Sequence, residues 1–589
     1  MAAPRDVGIL GLYLYFPRYL VEQSDLEAAD GVPGKYTSGL GQRQLGFCGD
    51  REDVVSMGAT AMLRLMEAYG VDAAEVGKLE VGTETAVDRS KSVMSYLMEH
   101  LNARGNTSAQ GADNVHGCYG GTAALFHAAD WVCGPSWDGR LAVVVATDVA
   151  VYEAGSSARA TGGAGAVAML VGPDAPLALE PPPWRGHFSA HAFDFFKPLS
   201  SPAFPVVDGP ATLLWYARAS DACGAAMHEA AARAGCGGGC GGKHCGGNGI
   251  GNGLQPQLQQ QVEQRQRCCA ALLPQFAYYL AHAPFNKLVR KTFARLALQD
   301  ALRCARSCGR GCSAEGAAAP AAGGAEAAAG APWAAACNGC GTPALHVRGS
   351  RGVACVAAGA VAVMAAPAGP AQAEAGSGGG SGSSGSGAAA CSGVMALPPC
   401  AAGLDPQALP DSSITDKALE RAAVEASAEL YDRMAAAGAA VQRRLGNLYT
   451  ASLYSGLAGL LESHAGGAGG ASEDGGGGGG GAAALLGRRL LLFSYGSGVQ
   501  ASLFALRARA GSGRFTLEAL TQRQDVRRRL DGRLRRPAAA FAAAMAAFHA
   551  GHAAAPFQPE GEVGDLEPGA VYLERVDAAH RRHYARAPR

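Results

Sequence analysis

Leu141 to Ala146 reads Leu-Ala-Val-Val-Val-Ala, an unbroken apolar run of strand length, and Arg489 to Tyr495 is its counterpart late in the chain. A strand with one face in water alternates apolar and polar residues; one apolar throughout is covered on both faces. Strand-like and helix-like runs alternate around these two, which predicts a layered α/β fold. The late run also follows its own glycine turn and small-residue helix. Gly446-Asn447 precedes Tyr449 to Leu461 much as Gly117-Cys118 precedes Thr122 to Val132. The parallel predicts an internal duplication, with Asn447 in the place that Cys118 holds in the first copy.

Cys118 lies in Val115-His116-Gly117-Cys118-Tyr119-Gly120-Gly121-Thr122, just before a predicted buried helix. Unpaired N–H groups and the positive dipole end there favour thiolate over thiol, and the flanking glycines leave room for a substrate. Most free cysteines are simply small core residues, so this turn alone does not decide between nucleophile and filler.

Two further residues complete a reactive set. Leu79-Glu80-Val81-Gly82-Thr83-Glu84-Thr85 reads as a short buried strand running into a polar turn, which puts Glu84 at the carboxyl end of a strand, where open α/β sheets build their sites. His282 precedes a Pro-started helix whose first turns are basic, in Ala281-His282-Ala283-Pro284-Phe285-Asn286-Lys287-Leu288-Val289-Arg290-Lys291. A lone Glu after a strand is usually solvated and a lone His before a helix is usually a cap or core residue. Together, however, a thiolate can accept an acyl group, a carboxylate can take a proton beside the acyl carbonyl, and an imidazole can position a second carbonyl.

The chain has 589 residues, 48% hydrophobic, with zero formal net charge, enough to bury a large core and without global bias towards nucleic acid or an anionic membrane. It contains no unbroken apolar run of about 18 residues, the length of a membrane span. The first strand begins a few residues after Met1, which leaves no room for a leader and predicts a cytoplasmic protein. The 17 cysteines fall mostly in Gly/Ala-rich tracts and read as reduced thiols. Residues 235–266, 307–402 and 466–481 are low-complexity segments that cannot bury enough apolar surface to offset chain entropy, and are expected to be disordered insertions. Cys236, Cys240, His244 and Cys245 lack a clean paired CxxC spacing and read as chance composition rather than a zinc site.

Several ordered blocks then converge. They are Val7-Gly8-Ile9-Leu10-Gly11, Gly34-Lys35-Tyr36-Thr37, Gly46 to Asp53, the Glu84, Cys118 and His282 motifs, Ala192 to Pro198, Val207-Asp208-Gly209, Gly446 to Thr450, Phe493 to Gly498 and Arg575 to Arg586. With these blocks the chain resembles the eukaryotic-type hydroxymethylglutaryl-CoA synthase family of the thiolase superfamily. The resemblance implies two duplicated βαβαβ-type halves in an αβαβα layering, with both glycine turns facing one cleft. The expected partition is a first half at 1–175 with Glu84 and Cys118, and a substrate and CoA region at 176–306 with His282, interrupted at 235–266. The insertion at 307–402 and a second half at 403–589 follow.

The activity so implied is condensation of acetyl-CoA with acetoacetyl-CoA through an acetyl-Cys118 intermediate, in the mevalonate route, by a homodimer. It implies Cys118 as nucleophile, Glu84 as carbon base and His282 orienting acetoacetyl-CoA. Gly34, Lys35, Lys287 and Lys291 are carried to CoA contacts, Ser157, Thr161, Thr212 and Asn447 to acyl-group contacts, and Ser497 to the product carboxyl end. Asp148 and Asp194 become supporting acids, and Tyr119 shapes the acetyl pocket. No cofactor or metal is implied, and neither nucleic acid nor membrane is a partner. Three departures stand out: the loop Gly31 to Gly34 is one residue short, Ser156-Ser157 replaces an Asn, and Thr212 replaces a Ser. A β-ketoacyl-ACP synthase III or thiolase-like Claisen enzyme would also acylate a cysteine, but would pair it with two histidines, or with His plus Asn or a second Cys. A catalytically degenerate homologue acting as an interaction protein would fold without acetylating Cys118.

Overall fold

The computed structural model describes residues 4–198, 204–234, 271–311, 394–401, 403–465, 480–551 and 553–589. Both long apolar runs become central strands of one ten-stranded mixed sheet. Strand Leu141–Ala150 lies parallel to Val76–Gly82 and antiparallel to Gly163–Gly172, which in turn pairs with Gly8–Tyr15. The late run repeats the arrangement. Strand Arg489–Gly496 lies parallel to Tyr278–Ala281 and antiparallel to Gln500–Ala508, which pairs with Arg185–Ser189. The short strand Leu177–Leu179 bonds to both Gly8–Tyr15 and Gln500–Ala508, joining the two arms. This is the predicted α/β duplication.

The boundaries of the second copy differ from the sequence partition. Its strands run from Arg185 to Ala508, because the helices Gly209–Arg233 and Asn286–Gly311 and the low-complexity stretch fall inside it. The chain end returns to the first copy: Leu573 N–H donates to Arg51 O at 2.8 Å, Val571 N–H to Thr60 Oγ1 at 2.9 Å and Tyr584 O–H to Asp53 Oδ2 at 2.8 Å. The segment expected to be inserted at 307–402 is also trimmed at both ends. The helix runs on to Gly311, while Met395 and Ala401 are buried in the core. The rest of that stretch, 235–266 and most of 466–481 lie outside the described residues, as do Cys236, Cys240, His244 and Cys245.

Local signals set the helix ends. Asp53 and Ser56 cap Val54–Tyr69 reciprocally, each side chain bonding the other's N–H at 2.8 Å, and Asp208 caps Gly209–Arg233. Two large hydrophobic clusters lie on opposite faces of strand Arg489–Gly496: Leu490 and Leu492 join the one around strands Gly8–Tyr15 and Leu141–Ala150, and Leu491 and Phe493 join the one around the helix from Asn286. The copies are tied by Thr122 on helix Gly120–Cys133, whose Oγ1 bonds Tyr454 OH and Ser494 Oγ, each at 2.8 Å. A third, small cluster takes Ala150 and Tyr152 from the first copy and Tyr449 from the second, and Cys118 packs on it.

Candidate active site

The nucleophile turn is built on close approach. Tyr119 N–H donates to His116 O at 3.1 Å and Gly120 N–H to Gly117 O at 3.2 Å, folding the chain back just before helix Gly120–Cys133. Gly496, ending its strand in the second copy, presses on this turn: a Cβ there would stand 2.4 Å from His116 O and 2.6 Å from Tyr119 N, so only glycine fits. Gly117 takes φ +48°, and a Cβ at its position would stand 3.0 Å from Ser497 N and 3.4 Å from Glu84 Oε2. Residues far apart in sequence thus converge beside Cys118.

The expected thiolate is not what this environment favours. Burial, together with the charges of Glu84 and Asp148, pushes the Cys118 thiol well above its ordinary value. The helix end is a local effect, whereas the two carboxylates arrive from neighbouring strands. These effects favour the thiol form of Cys118.

Glu84 follows strand Val76–Gly82, and its turn is held by Asp148 on the adjacent parallel strand. Asp148 Oδ1 accepts from Glu84 N–H at 2.9 Å, Thr83 Oγ1 at 3.0 Å and Thr85 Oγ1 at 2.8 Å. The Glu84 side chain is 6% exposed, and neither carboxylate oxygen has a hydrogen-bond partner. Desolvation raises its carboxyl to about 7, against the opposing pull of the Lys197 ammonium, whose Nζ lies 3.7 Å from Oε1. A buried carboxylate with no hydrogen bond and this proton affinity is suited to taking a proton near neutrality.

His282 directly follows the matching strand Tyr278–Ala281 of the second copy. Its N–H donates to Phe493 O at 2.8 Å, and Tyr216 OH donates to its carbonyl. The ring is buried, which lowers it to about 3, and Nδ1 is unpartnered. It is therefore neutral across the physiological range. Asn447 occupies the turn matching that of Cys118, with its N–H on Thr161 O at 2.9 Å and its Oδ1 accepting from Tyr449 N–H at 2.8 Å. This bond helps hold Tyr449 at φ +46°, an uncommon conformation for a bulky residue.

The other sequence candidates divide. Thr161 is buried beside Asn447, with its hydroxyl on Ala158 O at 2.7 Å. Asp194 is buried and joins two loops, accepting from Tyr495 OH at 3.0 Å and Gly498 N–H at 2.8 Å. Gly34 and Lys35 sit on an exposed turn before the short helix Thr37–Leu40, and at Gly41, which ends that helix, a Cβ would stand 3.4 Å from the backbone N of the exposed Lys287. Lys291 is not a free cation: its Nζ pairs with Glu420 Oε1 at 2.9 Å. Ser157 is on an exposed turn, and Thr212 spends its hydroxyl proton on the Asp194 and Asp208 carbonyls. Tyr119 reaches into the second copy, its OH on Ser502 Oγ at 2.7 Å, which anchors the turn next to Cys118.

Lys197, within the block Ala192 to Pro198, carries no local signal in the sequence that marks it as part of the site, and neither do Tyr152 and Tyr449, the aromatic cluster on which Cys118 packs. No group of three or more His, Cys, Asp or Glu able to hold a metal occurs among the described residues, and no helix among them is long and apolar enough to cross a membrane.

Comparison with known proteins adds independent findings. Residues 3–176 match the family model for the hydroxymethylglutaryl-coenzyme A synthase N terminal, and 401–587 that for the C terminal. A hydroxymethylglutaryl-CoA synthase of Ganoderma lucidum is 33% identical over 592 aligned positions, covering 100% of this chain and 96% of the relative. The cytoplasmic form of Gallus gallus is 34% identical, covering 99% and 88%, and the mitochondrial form of Homo sapiens 34%, covering 99% and 90%. Among solved structures, an MvaS in complex with 3-hydroxy-3-methylglutaryl coenzyme A superposes with TM-score 0.65 at 26% identity, covering 100% of both chains.

Proposed function

The chain belongs to the hydroxymethylglutaryl-CoA synthase family, and from that premise we propose that Cys118, Glu84 and His282 carry out the condensation of acetyl-CoA with acetoacetyl-CoA and water. The products are (S)-3-hydroxy-3-methylglutaryl-CoA and CoA. The observation that carries the assignment is the convergence at Gly117, where Glu84 Oε2 and Ser497 N meet the nucleophile turn at 3.4 and 3.0 Å from a Cβ position.

Because the thiol form of Cys118 is favoured, its proton leaves as sulfur attacks the acetyl carbonyl, and the Glu84 carboxylate, whose charge already acts on the thiol, accepts it. The N–H groups of Cys118 and Ser497 steady the tetrahedral oxyanion. The bond to the CoA sulfur breaks, CoA departs with the proton from Glu84, and acetyl-Cys118 remains. Glu84, again a carboxylate, takes a methyl proton; the resulting enolate carbon adds to the ketone of acetoacetyl-CoA, and the new alkoxide recovers that proton. Water then cleaves the thioester, returning the Cys118 thiol and the product carboxyl group, which Ser497 receives. A thioester suits this sequence because it acidifies its α-protons more than an oxygen ester does.

Neutral His282 offers one donor or one acceptor rather than a charge, which fits orientation of the acetoacetyl-CoA thioester. With Oδ1 of Asn447 committed to Tyr449, its amide N–H groups are left for the acyl chain, beside Thr161. Thr212 and Ser157 complete the acyl contacts of this reading. Gly34, Lys35 and Lys287 form the CoA entrance, with Lys291 joining them on exchange from Glu420.

The chain acts in the mevalonate route as a cytoplasmic homodimer without a bound cofactor; cell fractionation and sedimentation check compartment and assembly. The reaction itself is tested by mixing protein with each thioester alone and with both, following CoA release and acetoacetyl-CoA loss. CoA release beyond the single equivalent that acetylates Cys118 should need both substrates, and all of it should vanish in Cys118→Ala. Continuing release from acetyl-CoA alone, with acetoacetyl-CoA untouched, would reduce the activity to acyl-cysteine hydrolysis.

A further inference from the structure

Glu84 is the only member of the reactive set with a fixed cation beside it, and that cation comes from a distant segment. Lys197 follows the short strand Phe195–Phe196, which pairs with Val206–Val207. Its Nζ donates to the Glu84 carbonyl at 3.3 Å and lies 3.7 Å from Glu84 Oε1. The same ammonium stands 4.8 Å from the ring centroid of Tyr449 and 5.7 Å from that of Phe195. Two aromatic faces and a carbonyl thus fix the position of an otherwise flexible side chain. The segment is itself anchored, since Asp194, three residues earlier, is gripped by Tyr495 OH and Gly498 N–H.

We propose that Lys197 is a positioning residue for the reaction, a fixed counter-charge that aims the Glu84 carboxylate at the acyl group on Cys118 and keeps it available as a base. This rests on the reading of Glu84 as the carbon base. The groups facing Glu84 are the Asp148 carboxylate on strand Leu141–Ala150, the Cys118 thiol, the Tyr152 and Tyr449 hydroxyls, and Lys197. Of these only Lys197 is positive. Asp148 opposes ionisation of Glu84, and both tyrosines and the thiol are held neutral by burial. Lys197 touches neither sulfur nor acyl group in this arrangement, so its action runs through Glu84. It also explains a use for Asp194 that needs no contact with substrate: holding the Lys197 segment in register.

The test compares Lys197→Met, which keeps the apolar stem, with Lys197→Arg, which keeps the charge. The readouts are the pH dependence of kcat and mass spectrometry of acetyl-Cys118 after exposure to acetyl-CoA. In Lys197→Met the acid limb of kcat should move up by about one pH unit, an approximately fivefold loss at pH 7 that is recovered at higher pH. Lys197→Arg should restore the limb to within a few tenths of a unit of wild type. A loss equal at every pH, or a limb unmoved in Lys197→Met, would overturn the proposal and leave Lys197 a packing residue. Wild-type protein that never acetylates Cys118 would instead overturn the parent reading of the site.

Discussion

Asp148 and Thr450 join the two copies at the catalytic junction: Asp148 Oδ2 accepts from the Thr450 hydroxyl at 2.5 Å and from its N–H at 3.1 Å, while Oδ1 holds the Glu84 turn. One buried carboxylate thereby sets the strand end carrying the base against the turn carrying Asn447. Its charge is met by five donors, the arrangement a buried acid requires.

Asp148→Asn replaces acceptors with a donor that faces other donors. At least one of the bonds to Thr83, Glu84, Thr85 or Thr450 must break, costing about 1–3 kcal/mol of stability. The base turn also loosens, and kcat should fall at least tenfold while the fold persists. Denaturant unfolding and steady-state assays of the same preparation check both.

The pH profile of kcat should show a single acid limb near pH 7. Glu84 acts as its carboxylate, so activity rises with pH as its carboxyl, raised to about 7, ionises. His282, lowered to about 3, is neutral throughout and adds no limb between pH 5 and 8. Titrating Glu84→Gln should remove the limb along with most of the rate, a loss of about 10²–10⁴-fold.

Glu84→Gln should also stabilise the protein at pH 8. A carboxyl whose folded affinity for its proton exceeds the unfolded one contributes stability at low pH that is lost as pH rises from its ordinary value towards 7. The cost of the ionised form is on the order of 3 kcal/mol. A higher Tm for the variant at pH 8, with the difference shrinking towards pH 5, is the expected calorimetric result.

Gly496→Ala should abolish activity and impair folding. Its Cβ would meet backbone atoms of His116 and Tyr119 that cannot move without displacing Cys118. Soluble yield and acetylation of Cys118 should fall together, whereas Gly498→Ala, where a Cβ meets nothing within 4 Å but φ is +83°, should show the milder cost of strain alone.

What the residues reveal on their own follows range of action. The two apolar runs and the two glycine turns are local patterns, and they place Cys118 and Asn447 at equivalent strand-to-helix turns, with Glu84 and His282 after equivalent strands. Lys197 escaped because its partner is far away in sequence and only the sheet brings them together. The carboxylates of Glu84 and Asp148, which together with burial oppose a thiolate at Cys118, are out of sight for the same reason, since other strands contribute them. Tyr119 was read from its neighbour in sequence, yet its side chain crosses to Ser502. Lys291 showed helical spacing but not the opposing Glu420. The extent of the second copy was hidden by the low-complexity stretch that separates strand Tyr278–Ala281 from its parallel neighbour Arg489–Gly496.

The most direct test of the central claim is to expose the protein to acetyl-CoA, quench in acid, digest, locate the acetyl group by mass spectrometry, and then repeat with acetoacetyl-CoA added before the quench. The account predicts acetyl on Cys118 alone, discharged as hydroxymethylglutaryl-CoA forms in wild type but retained in Glu84→Gln. Acetyl on another residue, or discharge from Glu84→Gln at the wild-type rate, would contradict it.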